Sequence, residues 1–451
     1  MYRYIIGLCY LALSTLTVFC QTKPASVRLY GKIANGGSSI VLEDFSDLQM
    51  IVPKSYNKVV EIRSDSTFDI TVPLKSPNYF RLSRNKLYLT PGDSLEVYIN
   101  VRGGSEGSWF KGRGEVVNNY LRNVVFPKAG SYLEAGANLQ PTPAKMLEFI
   151  NDEAGKRKKA LEELKGTTPA FIKLEKARIR ADMIRSIDAV KAYASYSKKI
   201  GSESQRQAYV EEFEKISKPL KDSLLTDFAE PDFLKIEVYR DIINQFDTTK
   251  IINKAAAQIF KDWNRSYDLA FKQIKPENDK TKLPLFQKEI NGITTARYRN
   301  MLNLLMAEKM KYGNGDPVID FAAYKPDGST DKLSSLKGKV IYIDLWATWC
   351  GPCLAEMPHL ETLKKKYAGR DDIAIVSLSI DENINNWIKN LKDRQVDGIQ
   401  WRIDRALLGD YGVETIPRYI LINKEFKVAE LNAPHASDQQ VSALIDGMLK
   451  K

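Results

Sequence analysis

Residues 340–345, Val-Ile-Tyr-Ile-Asp-Leu, make a near-continuous apolar run that leads directly into Trp346-Ala347-Thr348-Trp349-Cys350-Gly351-Pro352-Cys353. Such a run is what a strand buried on both faces requires. Gly351 permits a turn after it, and Pro352 suits a first helical turn, where its missing N–H costs nothing. The two cysteines are therefore expected where a strand becomes a helix. At a helix N-terminus the unpaired amides and the positive end of the dipole stabilise a thiolate, so Cys350 should ionise more readily than a free cysteine. Three residues apart on one turn, Cys350 and Cys353 share a side and can close a disulfide.

That spacing fits exchange chemistry, in which the Cys350 thiolate attacks a disulfide and Cys353 resolves the mixed disulfide. Resolution needs a second deprotonation. Asp344 is the candidate base, because a carboxylate within a buried strand is rare and its pKa should be raised toward the range useful for proton transfer. Its alternative is a paired structural acid. Glu356, one helical turn beyond Cys353, is either a second acid/base group on the same face or an exposed helix residue.

Cysteine usage sharpens the reading. The chain has 451 residues and four cysteines. Arg3 followed by the apolar residues 4–19 reads as an export signal too short for a comfortable membrane span, so residues 1–20 are excluded from the fold. Cleavage after Cys20 would leave Gln21 as the new N-terminus; lipidation of Cys20 is the rival, against which the bulk of Phe19 argues. Only Cys350 and Cys353 then remain in the mature body. In an oxidising compartment an isolated close pair is more often catalytic than stapling, since closing so short a loop gains little. The expected location is the periplasm or cell envelope.

The length implies two or three domains, and the 43% hydrophobic and 27% charged content implies folded, soluble ones. The formal charge of +11 is spread among interleaved acids with no recognition motif, which argues against nucleic acid as partner. Residues 26–112 show short alternating runs punctuated by Gly31, Gly36-Gly37 and Pro91-Gly92-Asp93, the pattern of a small antiparallel β-sandwich or barrel. Residues 113–312 show helical periodicity, with Tyr193, Tyr196, Trp263 and Tyr267 expected to pack between helices. Residues 313–451 alternate strand and helix, predicting a central sheet covered by helices.

The residues from about Asp316 onward resemble the TlpA/ResA-like branch of exported thioredoxins. The likeness is carried by Asp320-Phe321, the segment 333–339, the Trp-Ala-Thr-Trp-Cys-Gly-Pro-Cys core, Glu356 with Pro358, and Gly412-Val413 ahead of Thr415-Ile416-Pro417. It implies a C-terminal α/β thioredoxin fold, so the fold class is multidomain: β-rich sandwich or barrel, α-helical middle, thioredoxin-like end. It also implies a cis peptide between Ile416 and Pro417 beside the cysteines, with substrate lying against Trp349, Gly351, Pro352, Ile416 and Pro417, and a helix kinked at Pro358. Arg418 departs from the Thr common at that place in cytosolic thioredoxins, which bears on substrate preference. The resemblance further implies protein disulfide substrates, a membrane electron-donor thiol protein as partner, and cytochrome c maturation as the usual setting. No cofactor is expected beyond the Cys350–Cys353 disulfide. The β-rich segment, with Gly112-Arg113-Gly114 before Asn118-Asn119-Tyr120-Leu121, is similar to the N-terminal half of some exported thioredoxin-like proteins.

Three rivals stand beside this reading. Zinc is disfavoured because only His359 and His435 supplement the cysteines, and both read as packing or surface residues. A thioredoxin-fold peroxidase is disfavoured by Ala347, which occupies the place of the threonine expected three residues before a peroxidatic cysteine. An envelope binding protein with an accessory thioredoxin domain is distinguished by whether the cysteines cycle.

Overall fold

A computed structural model describes residues 26–103, 107–246, 251, 253–409, 411–413 and 415–450. The expected signal at 1–20 and the lipidation candidate Cys20 lie outside these. The chain forms two compact units. One comprises the described residues up to Ser46 with Lys58–Thr226 and Lys235–Ile242; the other comprises Asp47–Asn57, Asp227–Leu234 and the described residues from Ile243 onward.

In the first unit eight strands form two four-stranded sheets: β1 (Ser26–Ala34), β2 (Ser39–Asp44), β3 (Lys58–Glu61), β4 (Thr67–Pro73), β5 (Asn78–Leu82), β6 (Asn85–Leu89), β7 (Ser94–Asn100) and β8 (Trp109–Arg113). The sheet orders are β4-β1-β7-β8 and β3-β2-β5-β6. Alternation sets which side chains enter the core. In β7, Leu95, Val97 and Ile99 are buried and join Leu29 and Phe110 of the same sheet and Leu42, Leu82 and Leu87 of the other in one apolar cluster. The sheets are not wholly antiparallel as expected, because β1 runs parallel to β7. The long chain between them leaves room for the crossover a parallel pair requires. Gly31 lies at that pairing with φ 140°, and a Cβ there would fall 2.1 Å from the Val97 carbonyl oxygen.

A short helix, α1 (Glu115–Leu121), follows, and then α2 (Pro143–Glu162), α3 (Pro169–Ala194) and α4 (Glu203–Leu225), which pack on one another. Their starts are legible locally. Thr142 and Thr168 cap α2 and α3 just ahead of a first-turn proline, and Ser202 with Gln205 forms a reciprocal capping box on α4. Tyr196 lies beyond the end of α3 and is 86% exposed, so the expectation that it packs between helices fails. The five-residue α5 (Glu237–Asp241) completes this unit's helices.

The remaining helices, α6 (Lys254–Tyr267), α7 (Gln287–Asn291) and α8 (Ala296–Lys309), belong to the second unit, so the helical region is shared between two bodies. Asp47 shows why the 47–57 segment joins them. Its buried carboxylate accepts from the Tyr298 hydroxyl at 2.7 Å and pairs with Arg297 at 2.7 Å, while its carbonyl accepts from the Trp263 indole at 2.9 Å.

The C-terminal strands are β9 (Ala322–Tyr324), β10 (Thr330–Lys332), β11 (Val340–Trp346), β12 (Ile373–Ser379), β13 (Ile399–Arg402), β14 (Arg418–Ile422) and β15 (Val428–Glu430), in one seven-stranded sheet ordered β10-β9-β13-β12-β11-β14-β15. Helices α9 (Gly351–Lys366), α10 (Ile384–Arg394) and α11 (Gln439–Leu449) cover it. Every residue of the central β11 is buried. Ile341, Ile343 and Leu345 share a cluster with Trp387 of α10, while Val340 and Tyr342 share one with Leu360 and Leu363 of α9 and Ile445 of α11.

Candidate active site

Strand β11 ends at Trp346, and Cys350 stands as the N-cap of α9. The Cys353 amide donates to Cys350 Sγ at 3.2 Å, so one of the helix's unpaired N–H groups is aimed at the sulfur. Cys350 and Cys353 are joined as a disulfide, with their Cα atoms 5.3 Å apart. Both cysteines are buried, but Gly351 and Pro352 are exposed and Trp349 is 62% exposed. The disulfide therefore lies just beneath a surface that another chain can reach. Leu354, Met357 and Ile416 pack against the cluster containing the two cysteines, and the Ile416–Pro417 peptide is cis. Helix α9 continues through Pro358 to Lys366.

The turn that presents Cys350 is held by a residue that sequence reasoning missed. Buried Asp381 accepts from the Thr348 amide at 3.0 Å and hydroxyl at 2.7 Å, and from the Ser379 hydroxyl at 2.7 Å. The available signal was an acid directly after the strand-like segment 373–380, apolar but for Ser377 and Ser379.

Asp344 occupies the face of β11 opposite the one that carries Ile343 and Leu345, directly across from Tyr419 of β14. Burial pushes its carboxyl up to about 7; Lys364 opposes the shift, the nearby Glu356 charge adds to it, and the Tyr419 hydroxyl opposes it. Tyr419 is in turn pushed upward by burial first and then by the Asp344 charge. Its ring stacks on Tyr342 with centroids 5.3 Å apart.

Glu356 is not a free helix residue. Its carboxylate accepts from the Ser437 amide at 3.1 Å and hydroxyl at 2.8 Å, and His435 Nδ1 lies 3.7 Å away. His435 also contacts the Tyr419 ring at 5.1 Å. The structure thus brings Asp344, Glu356, Tyr419, His435 and Ser437 together. No hydrogen bond from Asp344 or Glu356 reaches either sulfur of the disulfide. His359 is exposed. Among the described residues there is no group of three or more His, Cys, Asp or Glu arranged to hold a metal ion, and no helix is long and apolar enough to cross a membrane.

Comparison with known proteins bears on this site. Residues 313–445 match the Redoxin family. The chain is 33% identical over 146 residues to the thiol-disulfide oxidoreductase ResA of Bacillus thuringiensis (strain Al Hakam), covering 32% of this chain and 80% of that protein. Against the ResA of Bacillus subtilis it is 29% identical over 136 residues, covering 29% and 72% respectively. Among solved structures, a chain described as a thiol-disulfide oxidoreductase from Bacteroides vulgatus is 41% identical, covering 30% of this chain and 96% of that one, with a TM-score of 0.29.

Proposed function

The chain belongs to the TlpA/ResA-like thioredoxin family and is a thiol:disulfide oxidoreductase acting on protein disulfides, and we propose that it is an exported reductase working through a Cys350/Cys353 dithiol cycle. The observation that carries the dithiol cycle is the Cys353 amide directed at Cys350 Sγ at the start of α9, since that donor and the helix dipole favour negative charge on this sulfur; the reducing direction rests on Gly351-Pro352 between the cysteines, the dipeptide of strongly reducing thioredoxins.

In the reducing direction the Cys350 thiolate attacks a substrate disulfide, forming a mixed disulfide and expelling one substrate sulfur as a thiolate that takes up a proton. Cys353 then loses its proton and attacks Cys350 Sγ. The second substrate sulfur leaves, the substrate has gained two electrons, and the enzyme holds the Cys350–Cys353 disulfide. A membrane thiol protein restores the dithiol. Asp344 takes the Cys353 proton in this scheme, a role supported by a carboxyl raised to about 7, where it exchanges protons at neutral pH. Glu356, tethered by Ser437, is the second acid/base group. Trp349, Gly351, Pro352, Ile416 and Pro417 form the surface on which substrate lies, and the exposure of Trp349 supports this. The two N-terminal sheets sharing one core form a small β-sandwich. Export rests on the apolar residues 4–19, with Cys20 either trimmed away or lipidated.

Equilibrating the mature protein against dithiothreitol and glutathione buffers, with Cys353→Ser as control, tests the direction of electron flow. A potential near that of thioredoxin, about −270 mV, is expected. A value of about −120 to −180 mV overturns the reductase in favour of an oxidase or isomerase, and a pair that fails to cycle returns the chain to the binding-protein reading.

A further inference from the structure

The first unit contains a cavity of about 660 Å³ that redox chemistry does not use. Its volume is that of a small-molecule pocket. Four of its lining side chains are basic, Arg81, Arg84, Lys86 and Arg122, and none is acidic. Their engagement differs. Arg81 pairs with Glu43, and Lys86 donates to the Val125 carbonyl at 3.2 Å and lies 3.6 Å from Glu237. Arg84 is exposed and makes no ion pair or hydrogen bond with any described residue.

Next to it, Asn85 is 3% exposed and lines the same cavity, yet neither its amide nitrogen nor its amide oxygen has a hydrogen-bond partner. A buried amide with both ends unsatisfied is uncommon and calls for a partner. Leu121, Val124 and Phe126 supply an apolar wall, and Phe126 is left 51% exposed.

From the unpaired guanidinium, the orphaned amide and the apolar wall together, we infer that this cavity binds an amphiphilic organic anion. A carboxylate or phosphate head meets Arg84 and Asn85, and an apolar chain or ring lies along Leu121 and Phe126. The Arg84 charge, left without a carboxylate partner, attracts the anion, so occupancy weakens as salt rises.

Isothermal titration calorimetry on the full mature chain tests this with octanoate and octyl phosphate as probes, and with octanol and inorganic phosphate as controls that each keep one half of the chemistry. At least one octyl anion should bind once per chain, more tightly than either control, and whichever head group is preferred identifies the anion. Arg84→Gln, at an exposed position that leaves folding intact, should weaken that binding about tenfold, the scale of one charge-assisted hydrogen bond. Phe126→Ser should weaken it by a smaller factor, and both variants should keep the wild-type rate of thiol exchange. Octanol binding as tightly as the anions, inorganic phosphate binding as tightly as octyl phosphate, an unchanged affinity in Arg84→Gln, or no binding of either anion would each overturn the inference.

Discussion

Two buried acids, Asp182 in the first unit and Asp344 in the second, meet the same cost of leaving water and are accommodated differently. Burial raises Asp182 to about 6, opposed by the Ser131 hydroxyl, which donates at 2.7 Å, and by the Arg178 and Lys86 charges, while the Glu175 charge adds to the shift. Around it, Arg178 pairs with Glu175 at 2.9 Å, both buried, and Tyr79 donates to Glu175 at 2.7 Å. Charges of both signs answer one another there. Asp344, raised to about 7 by burial, has no ion pair; the Lys364 charge and the Tyr419 hydroxyl oppose the shift, and the Glu356 charge adds to it. A compensated cluster holds a structure together, whereas an uncompensated acid keeps a proton available near neutral pH.

The largest expected effect breaks the compensated side. Arg178→Met leaves Glu175 charged and buried and should cost about 3–5 kcal/mol in a denaturant titration of the first unit. A loss under about 1 kcal/mol would mean that the cluster is not held by its charges, and the contrast would collapse.

Asp344→Asn should act with the opposite sign. A carboxyl raised in the folded state contributes stability that is fully present below its unfolded value near 4 and is lost as pH rises through its folded value near 7. Asparagine removes that loss, so the variant should gain roughly 2–4 kcal/mol over the parent above pH 7.5, with the gap closing toward pH 4. Disulfide exchange at pH 7 should meanwhile slow about 100-fold. Urea titrations at pH 4.5 and 8 check the first part and stopped-flow exchange the second. A variant less stable than the parent at pH 8 would make Asp344 a structural partner like Asp182.

The smallest effect sharpens the uncompensated side. Ser437→Ala removes the hydroxyl donor to Glu356 and leaves the amide donor in place, and should cost about 1 kcal/mol. Exchange should slow a few-fold, and Ser437→Thr should restore it. An unchanged exchange rate would mark the Glu356–Ser437 contact as structural only.

How far each part could be read follows from the range of its causes. The 340–353 segment was legible because strand burial, the glycine turn, the first-turn proline and the amides that favour a thiolate all act within a few residues. The caps at Thr142, Thr168 and Ser202 are equally local. Asp344 stood out because a charged residue in an all-apolar strand violates its own pattern. Glu356 remained ambiguous because helical spacing says which face it occupies and nothing about Ser437, which lies 81 residues further along the chain.

The sequence by itself determined a strand that becomes a helix at Cys350, a dithiol at that helix's start, and a carboxylate inside the strand. Tertiary structure alone decided that Asp381 holds the turn ahead of Cys350, that His435 and Ser437 meet Glu356, that β1 runs parallel to β7, and that Asp47–Asn57 joins the second unit. The reason is physical. Periods of 2 and 3.6 encode which face of an element is buried, whereas polar partners and strand neighbours are chosen by what the folded chain brings within about 3 Å.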